Sequence, residues 1–450
     1  MKTVKCHAPS GINSAVMAKP GSAGKLRGTI TVPASKPHCQ RAVLLASLAA
    51  GRSEINNFAD CTETSIIAKS CGDFGARYHS GAQRLTIDGF DGLPQPARQV
   101  LRTAGSGFAL RTLLAVSCLV AGPTVFVSNE RMSHRPIWPL LGALSAQGSA
   151  FEPLDPAEPL PLVSFGGGLA GGTISVASDQ TSQFVTALML VAPYGRNPLT
   201  LELAAPPVGS HYIRMTVELM RQFGATVHAS DNLSLVHVQP GGYRASKVSV
   251  GVDVNAFFYF VAAAVVTDAD ILVRGAQLDV DAFLDAAVGI GRRLGVLIEQ
   301  EGPNVRIRSG EPPTARVSID AVDVPTLVPA LAAVASSLPA GMELTGAAHL
   351  VHHKTSRLDL TIEGLEAMGR HLDPVYADGQ LDGFSTRGSD PPTGAVVDSH
   401  GDHRLFMALF LASLSLDEAV HITGADTLTA SFPAFLPTFQ SLRAMTEVSV

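Results

Sequence analysis

Residues 28–51 read GTITVPASKPHCQRAVLLASLAAG, and the same three-part pattern returns five more times along the 450-residue chain. Each copy joins a stretch of alternating or β-branched residues, a polar segment, and a run of small apolar residues. The other five copies are VLRTAGSGFALRTLLAVSCLVAG (100–122), GTISVASDQTSQFVTALMLVAP (172–193), VSVGVDVNAFFYFVAAAVV (248–266), VSIDAVDVPTLVPALAAVASS (317–337) and GAVVDSHGDHRLFMALFLASLSL (394–416). Their spacing is too long for a solenoid and suits a small βαβ-type subdomain.

The repeated pattern predicts an α/β protein built from six such repeats. The alternating residues predict a strand, and the polar cluster after them is typical of a helix N-cap. The apolar runs have no polar face, which predicts helices that are buried on all sides. A chain of 450 residues exceeds the usual size of one hydrophobic core, so we expect two domains of three repeats each. Amphipathic spacing predicts outer helices over residues 139–147, 214–223, 283–294 and 356–368.

The composition argues against several classes of protein. With 46% hydrophobic and 16% charged residues the chain suits a packed globular protein, and its net charge of −6 argues against a nucleic-acid polymer as partner. The five cysteines are scattered without a CxxC pair, which indicates neither a zinc site nor a disulfide framework and favours the cytoplasm. The N-terminal residues lack a signal-peptide core. Apolar runs such as 257–266 are too short to span a membrane.

Positive charge stands where several helices are predicted to begin. Lys36 and Arg41 open the first copy, Arg135 and Arg357 stand at the predicted starts of outer helices, and Arg404 opens the sixth copy. The helix dipole disfavours a cation at a helix N-terminus, so these positions indicate anionic partners, although a solvated side chain would explain Lys36 alone. Because the arginine fork suits carboxylate and phosphate, we expect a cleft enzyme that binds more than one such group.

Hydroxyl, carboxylate and imidazole groups occupy the same place in other copies. TSQ (181–183) in the third copy either caps a helix or cradles a phosphate. Asp320 and Asp323 in the fifth copy have ordinary capping as one explanation and acid–base chemistry as the other. DHR (402–404) in the sixth copy places three ionisable residues at the start of a buried helix, which capping alone does not explain.

Taken together, the motifs resemble those of the 5-enolpyruvylshikimate-3-phosphate (EPSP) synthase family. The resemblance rests on PASKPHCQRAVLLASL, ERMSHRPIWPLLGAL, SDQTSQFVTALML and GDHRLFMAL, in that order. It implies two inverse α/β barrel domains, one of residues 1–34 and 253–450 and one of residues 35–252, with the active site in the cleft between them. It also implies a monomer that transfers the enolpyruvyl group of phosphoenolpyruvate (PEP) to a hydroxyl of a phosphorylated acceptor. The reaction passes through a tetrahedral intermediate, releases phosphate, and needs no metal or organic cofactor.

The resemblance further implies roles for the residues at matching positions. Those implied on the PEP side are Lys36, Gly107, Arg135, Gln183, Arg357, His403 and Arg404. Those implied to contact the acceptor are Arg41, Thr181, Ser182, Gln183, Ser210, Asp323 and His353. Asp323 would take the proton of the acceptor hydroxyl. Proton transfer at the PEP methylene group would fall to Lys354, Lys36 or His403.

Four positions depart from the pattern of the family. Pro37 replaces a serine, Phe108 a threonine, Lys354 the glutamate of the proton shuttle, and Ala430 a lysine. These replacements change the residues around the acceptor, and Pro37 removes a hydroxyl group from them. Thr181 and Ser182, which the resemblance implies contact the acceptor phosphate, are retained. From this we expect an acceptor other than shikimate 3-phosphate. The 3′-hydroxyl of UMP, which related transferases of nucleoside-antibiotic pathways modify, is favoured.

Three alternatives stay open. The first is EPSP synthesis for aromatic amino acids, and the second is a degenerate member that binds ligand without catalysis, as Lys354 and Ala430 suggest. The third, transfer to UDP-N-acetylglucosamine, is disfavoured because the loop near Arg131 has no cysteine. The aromatic residues at 257–259 either pack in the core or contact a nucleobase.

Overall fold

The chain folds into two compact units, one of Met1–Pro33 with Val252–Val450 (unit 1) and one of Ala34–Gly251 (unit 2). The computed structural model describes residues 15–18, 25–81, 84–97, 99–203, 207–279, 281–352, 356–388, 395–416 and 419–442. Each unit has its own hydrophobic core. The predicted α/β fold class with three repeats in each of two domains is confirmed.

Six central helices form these cores, as the apolar runs of the sequence predict. They are Lys36–Leu48, Gly107–Ser117 and Gln183–Val191 in unit 2, and Val254–Val266, Val328–Ala335 and His403–Ser413 in unit 1. Nearly every side chain on them is buried, including those on the face that an ordinary surface helix would expose. Each begins at a polar segment, so the polar residues of the repeats stand at buried helix N-termini.

Outer helices follow the second strand of each repeat and pack with the central ones. They are Thr62–Asp73, Trp138–Ala146, Ser210–Gln222, Ala282–Arg293, Arg357–Ala367 and Phe435–Ser441. The four predicted from amphipathic spacing are all present, and only the 214–223 prediction misses its start by more than one residue. Shorter helical turns are Glu130–Ser133, Ala192–Tyr194, Pro325–Leu327, Ala348–His352 and Ala425–Ala430.

Each sheet is built on a parallel pair of strands. A hairpin extends this pair in five of the sheets, and the single antiparallel strand Ala15–Ala18 extends it in the sixth. The three sheets of unit 2, in spatial order, are Lys247–Ser249, Arg52–Asn56, Arg84–Asp88, Arg77–Gly81; Leu101–Arg102, Thr124–Val127, Glu158–Ser164, Phe151–Asp155; and Gly172–Val176, Leu199–Leu203, Leu235–Val238, Val227–Ala229. Those of unit 1 are Lys25–Ile30, Asp268–Arg274, Asn304–Ser309, Val296–Glu301; Val317–Asp320, Met342–Thr345, Gln380–Ser385, Asp373–Ala377; and Val396–Asp398, Val420–Thr423, Ala15–Ala18. The common strand order makes the six copies structural repeats.

The first and fourth copies exchange their leading strands, which the sequence pattern did not predict. The strand Lys25–Ile30 precedes the first central helix along the chain, but it pairs in parallel with Asp268–Arg274 of the fourth copy. Conversely, Lys247–Ser249 pairs in parallel with Arg52–Asn56 of the first copy. The chain leaves unit 1 after Pro33 and returns at Val252. Each leading strand therefore completes the sheet of the unit in which it lies.

Candidate active site

Lys36 is the first residue of the central helix Lys36–Leu48 in unit 2, and it is buried with 8% exposure. Its Nζ lies 3.0 Å from Oε2 of Glu63 on the neighbouring outer helix. A buried ammonium requires an opposite charge, and the sequence argument expected an anion at this point. Glu63 provides that anion within the protein, although nothing in its sequence surroundings marks it.

Arg41 lies one turn further along the same helix and is 2% exposed. Its Nε donates to Oγ1 of Thr216 (2.8 Å), its Nη1 to the Pro37 carbonyl (3.0 Å), and its Nη2 to Oγ1 of Thr186 (3.5 Å). Its Cζ lies 4.8 Å from the ring centroid of Phe108 and 5.4 Å from that of Tyr212. Burial lowers the pKa of Arg41 to about 10. Among the residues that the structure describes, none offers a carboxylate to this guanidinium.

Arg111 and Arg135 converge at Gly107, the first residue of the second central helix. A Cβ on Gly107 would lie 2.6 Å from Nη1 of Arg135 and 3.1 Å from Nη1 of Arg111. Only glycine therefore leaves both guanidinium groups in place. Burial first, and then the charge of Arg135, holds the pKa of Arg111 well below its usual range. Two cations held this close favour an anion as ligand.

Replacing Gly107 by alanine should lower the affinity for PEP about tenfold to a hundredfold, which is the cost of one hydrogen bond to a charged group. The added methyl group must displace the Arg135 guanidinium, because 2.6 Å is shorter than any van der Waals contact. Calorimetric titration with PEP measures the change. Gly142→Ala is the control, since a Cβ there meets no atom within 4 Å. Equal effects of the two substitutions would contradict the steric argument.

The third copy brings hydroxyl groups and an amide to the start of its central helix, Gln183–Val191. The backbone N of Gln183 donates to Oγ1 of Thr181 (3.2 Å), and Ser182 is buried. Ser210 begins the outer helix of this repeat. The loops before the two helices are joined, because the N of Val208 donates to the carbonyl of Ser178 (3.1 Å). The Thr181 hydroxyl thus accepts from the first backbone N–H of this helix, whose N-cap residue is Ser182.

Side-chain contacts link these residues of unit 2 into one cluster. Arg41 joins the first central helix to Thr186 on the third and to Thr216 on the outer helix of the third repeat. Arg111 joins the second central helix to Gln183 on the third. The cluster thus gathers cations and neutral donors at the starts of three buried helices, which is an arrangement suited to anions.

In unit 1 the charged residues of the fifth and sixth copies gather around Asp402, which is fully buried. Its Oδ2 accepts from Nε (2.9 Å) and Nη2 (2.7 Å) of Arg357. Its Oδ1 accepts from the backbone N of Arg404 at 2.8 Å and so caps the central helix His403–Ser413. Asp402 thus both caps this helix and neutralises Arg357, and it fixes two of the implied PEP residues.

The remaining implied residues of unit 1 differ in how they are placed. Nη1 of Arg404 donates to the carbonyl of Thr326 (3.2 Å), three residues beyond Asp323. Asp323 itself is exposed, whereas His403 is buried beside Asp402. His353 and Lys354 lie outside the described residues.

The aromatic residues Phe257, Phe258 and Tyr259 of the fourth copy belong to the core of unit 1. All three are at most 1% exposed, and the Tyr259 hydroxyl donates to the carbonyl of Arg404 (3.1 Å). Contact with a nucleobase, which the sequence left as an alternative, is therefore wrong. All three residues pack in the core, and Tyr259 is in addition hydrogen-bonded to the backbone of Arg404.

Sequence reasoning did not include Glu63, Arg111 or Asp402 among the site residues. Arg111 and Asp402 had a signal, since each stands in a polar segment already singled out, whereas Glu63 had none. Within the described ranges, no group of three or more His, Cys, Asp or Glu side chains is placed to hold a metal ion. No helix of that part of the chain has the length and apolarity needed to cross a membrane.

Comparison with known proteins gives consistent matches along the chain. The sequence profile of the family described as EPSP synthase (3-phosphoshikimate 1-carboxyvinyltransferase) matches residues 21–439. The 3-phosphoshikimate 1-carboxyvinyltransferase of Methanocorpusculum labreanum is 30% identical over 425 residues, which cover 94% of this chain and 98% of that protein. The enzyme of the same name from Methanothermobacter thermautotrophicus is 30% identical over 414 residues, with 92% and 95% covered.

Solved structures show the same fold over almost the whole length. EPSP synthase from Acinetobacter baumannii matches with a TM-score of 0.78 at 20% identity, and 98% of this chain and 100% of that chain are covered. The enolpyruvyl transferase NikO from Streptomyces tendae matches with a TM-score of 0.76 at 16% identity, with 97% and 99% covered. At these identities the two structures show a shared fold.

Proposed function

The chain belongs to the EPSP synthase family and is an enolpyruvyl transferase, and we propose that its acceptor is a phosphorylated compound other than shikimate 3-phosphate. The 3′-hydroxyl of UMP is the acceptor that we favour. The surroundings of Arg41 carry this proposal, because they differ from what a carboxylate-bearing acceptor requires.

Arg41 has little capacity left for a carboxylate. Each of its three nitrogens already donates to a neutral protein oxygen, and the rings of Phe108 and Tyr212 lie within 4.8 and 5.4 Å of its Cζ. Shikimate 3-phosphate bears a carboxylate that needs a paired cation, whereas UMP has none. A guanidinium enclosed in this way is better suited to the electrostatic support of a distant phosphate, or to the edge of a neutral ring, than to bidentate pairing.

The phosphate of the acceptor has partners in the third copy. Thr181 and Ser182 offer hydroxyl groups at the start of a buried helix, whose dipole favours negative charge. We assign the acceptor phosphate to these two residues together with Ser210. The same grip serves any phosphorylated acceptor, so it does not by itself select between UMP and shikimate 3-phosphate.

For PEP, we assign the carboxylate and phosphate to the cations that the family resemblance implies. Arg135, beside Gly107, belongs to the set in unit 2, and Arg357 and Arg404 belong to the set in unit 1. Lys36, paired with Glu63, completes the first set. Fixed cations of this kind stabilise charge that shifts during the reaction without having to reorganise.

In the proposed reaction the acceptor oxygen forms a bond to C2 of PEP while C3 gains a proton. The tetrahedral intermediate then loses phosphate from C2 and a proton from C3, which restores the double bond and leaves an enol ether. Asp323 accepts the hydroxyl proton. In this chain Lys354 replaces the glutamate that serves as the proton shuttle in the family. The proton at C3 is therefore exchanged by Lys36, Lys354 or His403.

Shikimate 3-phosphate is the second candidate acceptor. Relatives that are 30% identical over more than nine-tenths of the chain carry the name 3-phosphoshikimate 1-carboxyvinyltransferase. Purified protein is therefore incubated with PEP and either UMP, shikimate 3-phosphate or uridine. We expect phosphate release and an enolpyruvyl mass gain with UMP, and none with uridine, which lacks the phosphate. Turnover with shikimate 3-phosphate alone would refute the proposed acceptor.

Replacing Phe108 by threonine should shift the ratio of kcat/KM values towards shikimate 3-phosphate about tenfold, as expected for uncovering a buried cation. The shorter side chain exposes one face of Arg41 to a carboxylate. Competition between UMP and shikimate 3-phosphate, read by product mass, measures the shift. Phe108→Leu is the control, because it keeps an apolar cover and should leave the preference unchanged. A shift of the same size with leucine would contradict the role of the cover.

A further inference from the structure

Arg111 is almost completely buried, with 1% exposure, although it is not among the residues implied to bind substrate. Its Nη1 donates to Oε1 of Gln183 at 2.6 Å, and its Nη2 donates to the carbonyl of Pro136 at 2.7 Å. Its Cζ lies 5.2 Å from the ring centroid of Phe184. Within the described part of the chain, no carboxylate pairs with it. A buried cation of this kind is costly, so a functional reason is needed for keeping it.

The contact with Gln183 fixes which way its side-chain amide faces. A guanidinium has only donors, so the amide atom that faces Arg111 must be the oxygen. With its oxygen turned to Arg111, Gln183 directs its NH2 group away from Arg111, where that group is available as a donor. An anion or a hydroxyl oxygen of a substrate can accept from such a donor.

The second contact reaches another implied PEP residue of unit 2, Arg135. Pro136 follows Arg135 directly, so the bond from Arg111 to the Pro136 carbonyl restrains the backbone that carries Arg135. Arg111 and Arg135 both lie against Gly107, at 3.1 Å and 2.6 Å from the position of an added Cβ. One buried side chain thereby restrains both Gln183 and Arg135.

We propose that Arg111 is a positioning residue, which orients the NH2 group of Gln183 as a hydrogen-bond donor and holds Arg135 in position for the anionic substrate. This inference rests on one part of the proposed function, namely that Gln183 and Arg135 contact a substrate. It does not depend on which acceptor is used. The fork geometry is essential, because two different nitrogens of Arg111 reach the Gln183 oxygen and the Pro136 carbonyl, whereas lysine offers a single nitrogen on a differently shaped side chain.

Arg111→Lys should therefore lower kcat/KM for PEP about a hundredfold, as small misplacements of binding groups do. Most of the loss should appear in KM, because positioning acts on binding. In a Gln183→Ala background, the same substitution should cost only the part that acts through Arg135, well under the effect in the wild-type background. Gln183→Glu should be as damaging as Gln183→Ala, since it keeps an oxygen for Arg111 but has no NH2 group.

Arg221→Lys is the matched control. Arg221 also donates to a backbone carbonyl, that of Val227 at 3.1 and 3.0 Å, but on an outer helix and without contact to an implied site residue. It should leave kcat/KM unchanged. Thermal unfolding of every variant separates loss of fold from loss of position.

Equal loss from Arg111→Lys in both Gln183 backgrounds would overturn the coupling to Gln183, as would full activity of Gln183→Glu. These variants are assayed with whichever acceptor the wild-type protein turns over. Absence of turnover with UMP would therefore refute the acceptor proposal and leave this test intact. If neither acceptor is turned over, calorimetric titration of the same variants with PEP replaces the kinetics. The same non-additive pattern in the PEP affinities is then expected, and additive losses would overturn the inference.

Discussion

Replacing Asp402 by asparagine is expected to destabilise unit 1 by about 3–5 kcal/mol, which is the usual cost of removing one partner from a buried ion pair. Asp402 is fully buried, and its partner Arg357 is 5% exposed. The substitution leaves the Arg357 guanidinium in a medium that solvates charge poorly, with a neutral amide in place of the Asp402 carboxylate. Asparagine caps helices as well as aspartate does, so the loss isolates the charge of Asp402 from its capping bond to Arg404.

Denaturant titration followed by a probe in unit 1 measures this loss. Asp268→Asn is the matched control, because its pair with Arg27 has the same 2.7 Å separation in the same unit but lies at the surface. Solvent already screens the surface pair, so its effect should be much smaller. Arg357→Met combined with Asp402→Asn should be less destabilising than the sum of the single substitutions. Equal effects of Asp402→Asn and Asp268→Asn would show that burial does not determine the strength of the pair.

The same substitution has a functional counterpart in the binding of PEP. Arg357 would lose the carboxylate that orients it, so the affinity for PEP should fall. A ligand that binds only the folded state stabilises it by an amount that its affinity and concentration determine. At the same PEP concentration, the unfolding midpoint of the Asp402→Asn protein should therefore rise by less than that of the wild-type protein.

The periodic parts of the fold were predictable, because they depend on local patterns. A run without a polar face can only be a buried helix, and all six such runs are central helices. Pairing between distant strands is different, because the strand signal of residues 25–30 is the same whichever sheet it joins. Its partner is Asp268–Arg274, about half the chain away, and only the path of the chain between the two units determines that pairing.

For the candidate site, too, features that depend on neighbouring residues in the sequence were predictable, and contacts between distant residues were not. The cations at helix starts are visible in the sequence, because the dipole makes their position unusual. The residues that contact these cations cannot be recognised in the sequence, because they come from other elements. Glu63 looks like an ordinary acidic residue at a helix start, and Phe108 looks like an ordinary core residue. Phe108 contacts Arg41, which lies 67 positions away in the sequence. Because of this contact, we propose that the replacement of the family's threonine by Phe108 changes which acceptor binds.

Replacing Asp323 by asparagine is expected to lower kcat about 10²- to 10⁴-fold, the usual contribution of a general base. Asp323 is an exposed carboxylate in the turn before the fifth central helix, three residues from the Thr326 carbonyl that holds Arg404. Asparagine has nearly the same shape and cannot accept the proton of the acceptor hydroxyl. The residual rate should rise with pH, because hydroxide must then remove that proton.

Binding and stability separate this role from the alternatives. Because Asp323 is exposed, Asp323→Asn should leave the unfolding midpoint and the calorimetric affinity for PEP unchanged. Asp320→Asn is the matched control, since it removes the same charge three residues earlier, where the carboxylate accepts from the backbone N of Val322 (3.0 Å). That variant should retain its kcat. An unchanged kcat for Asp323→Asn would assign the hydroxyl proton to another group. A fall in acceptor affinity with little change in kcat would make Asp323 a binding residue, because a base is needed in the transition state and not for binding.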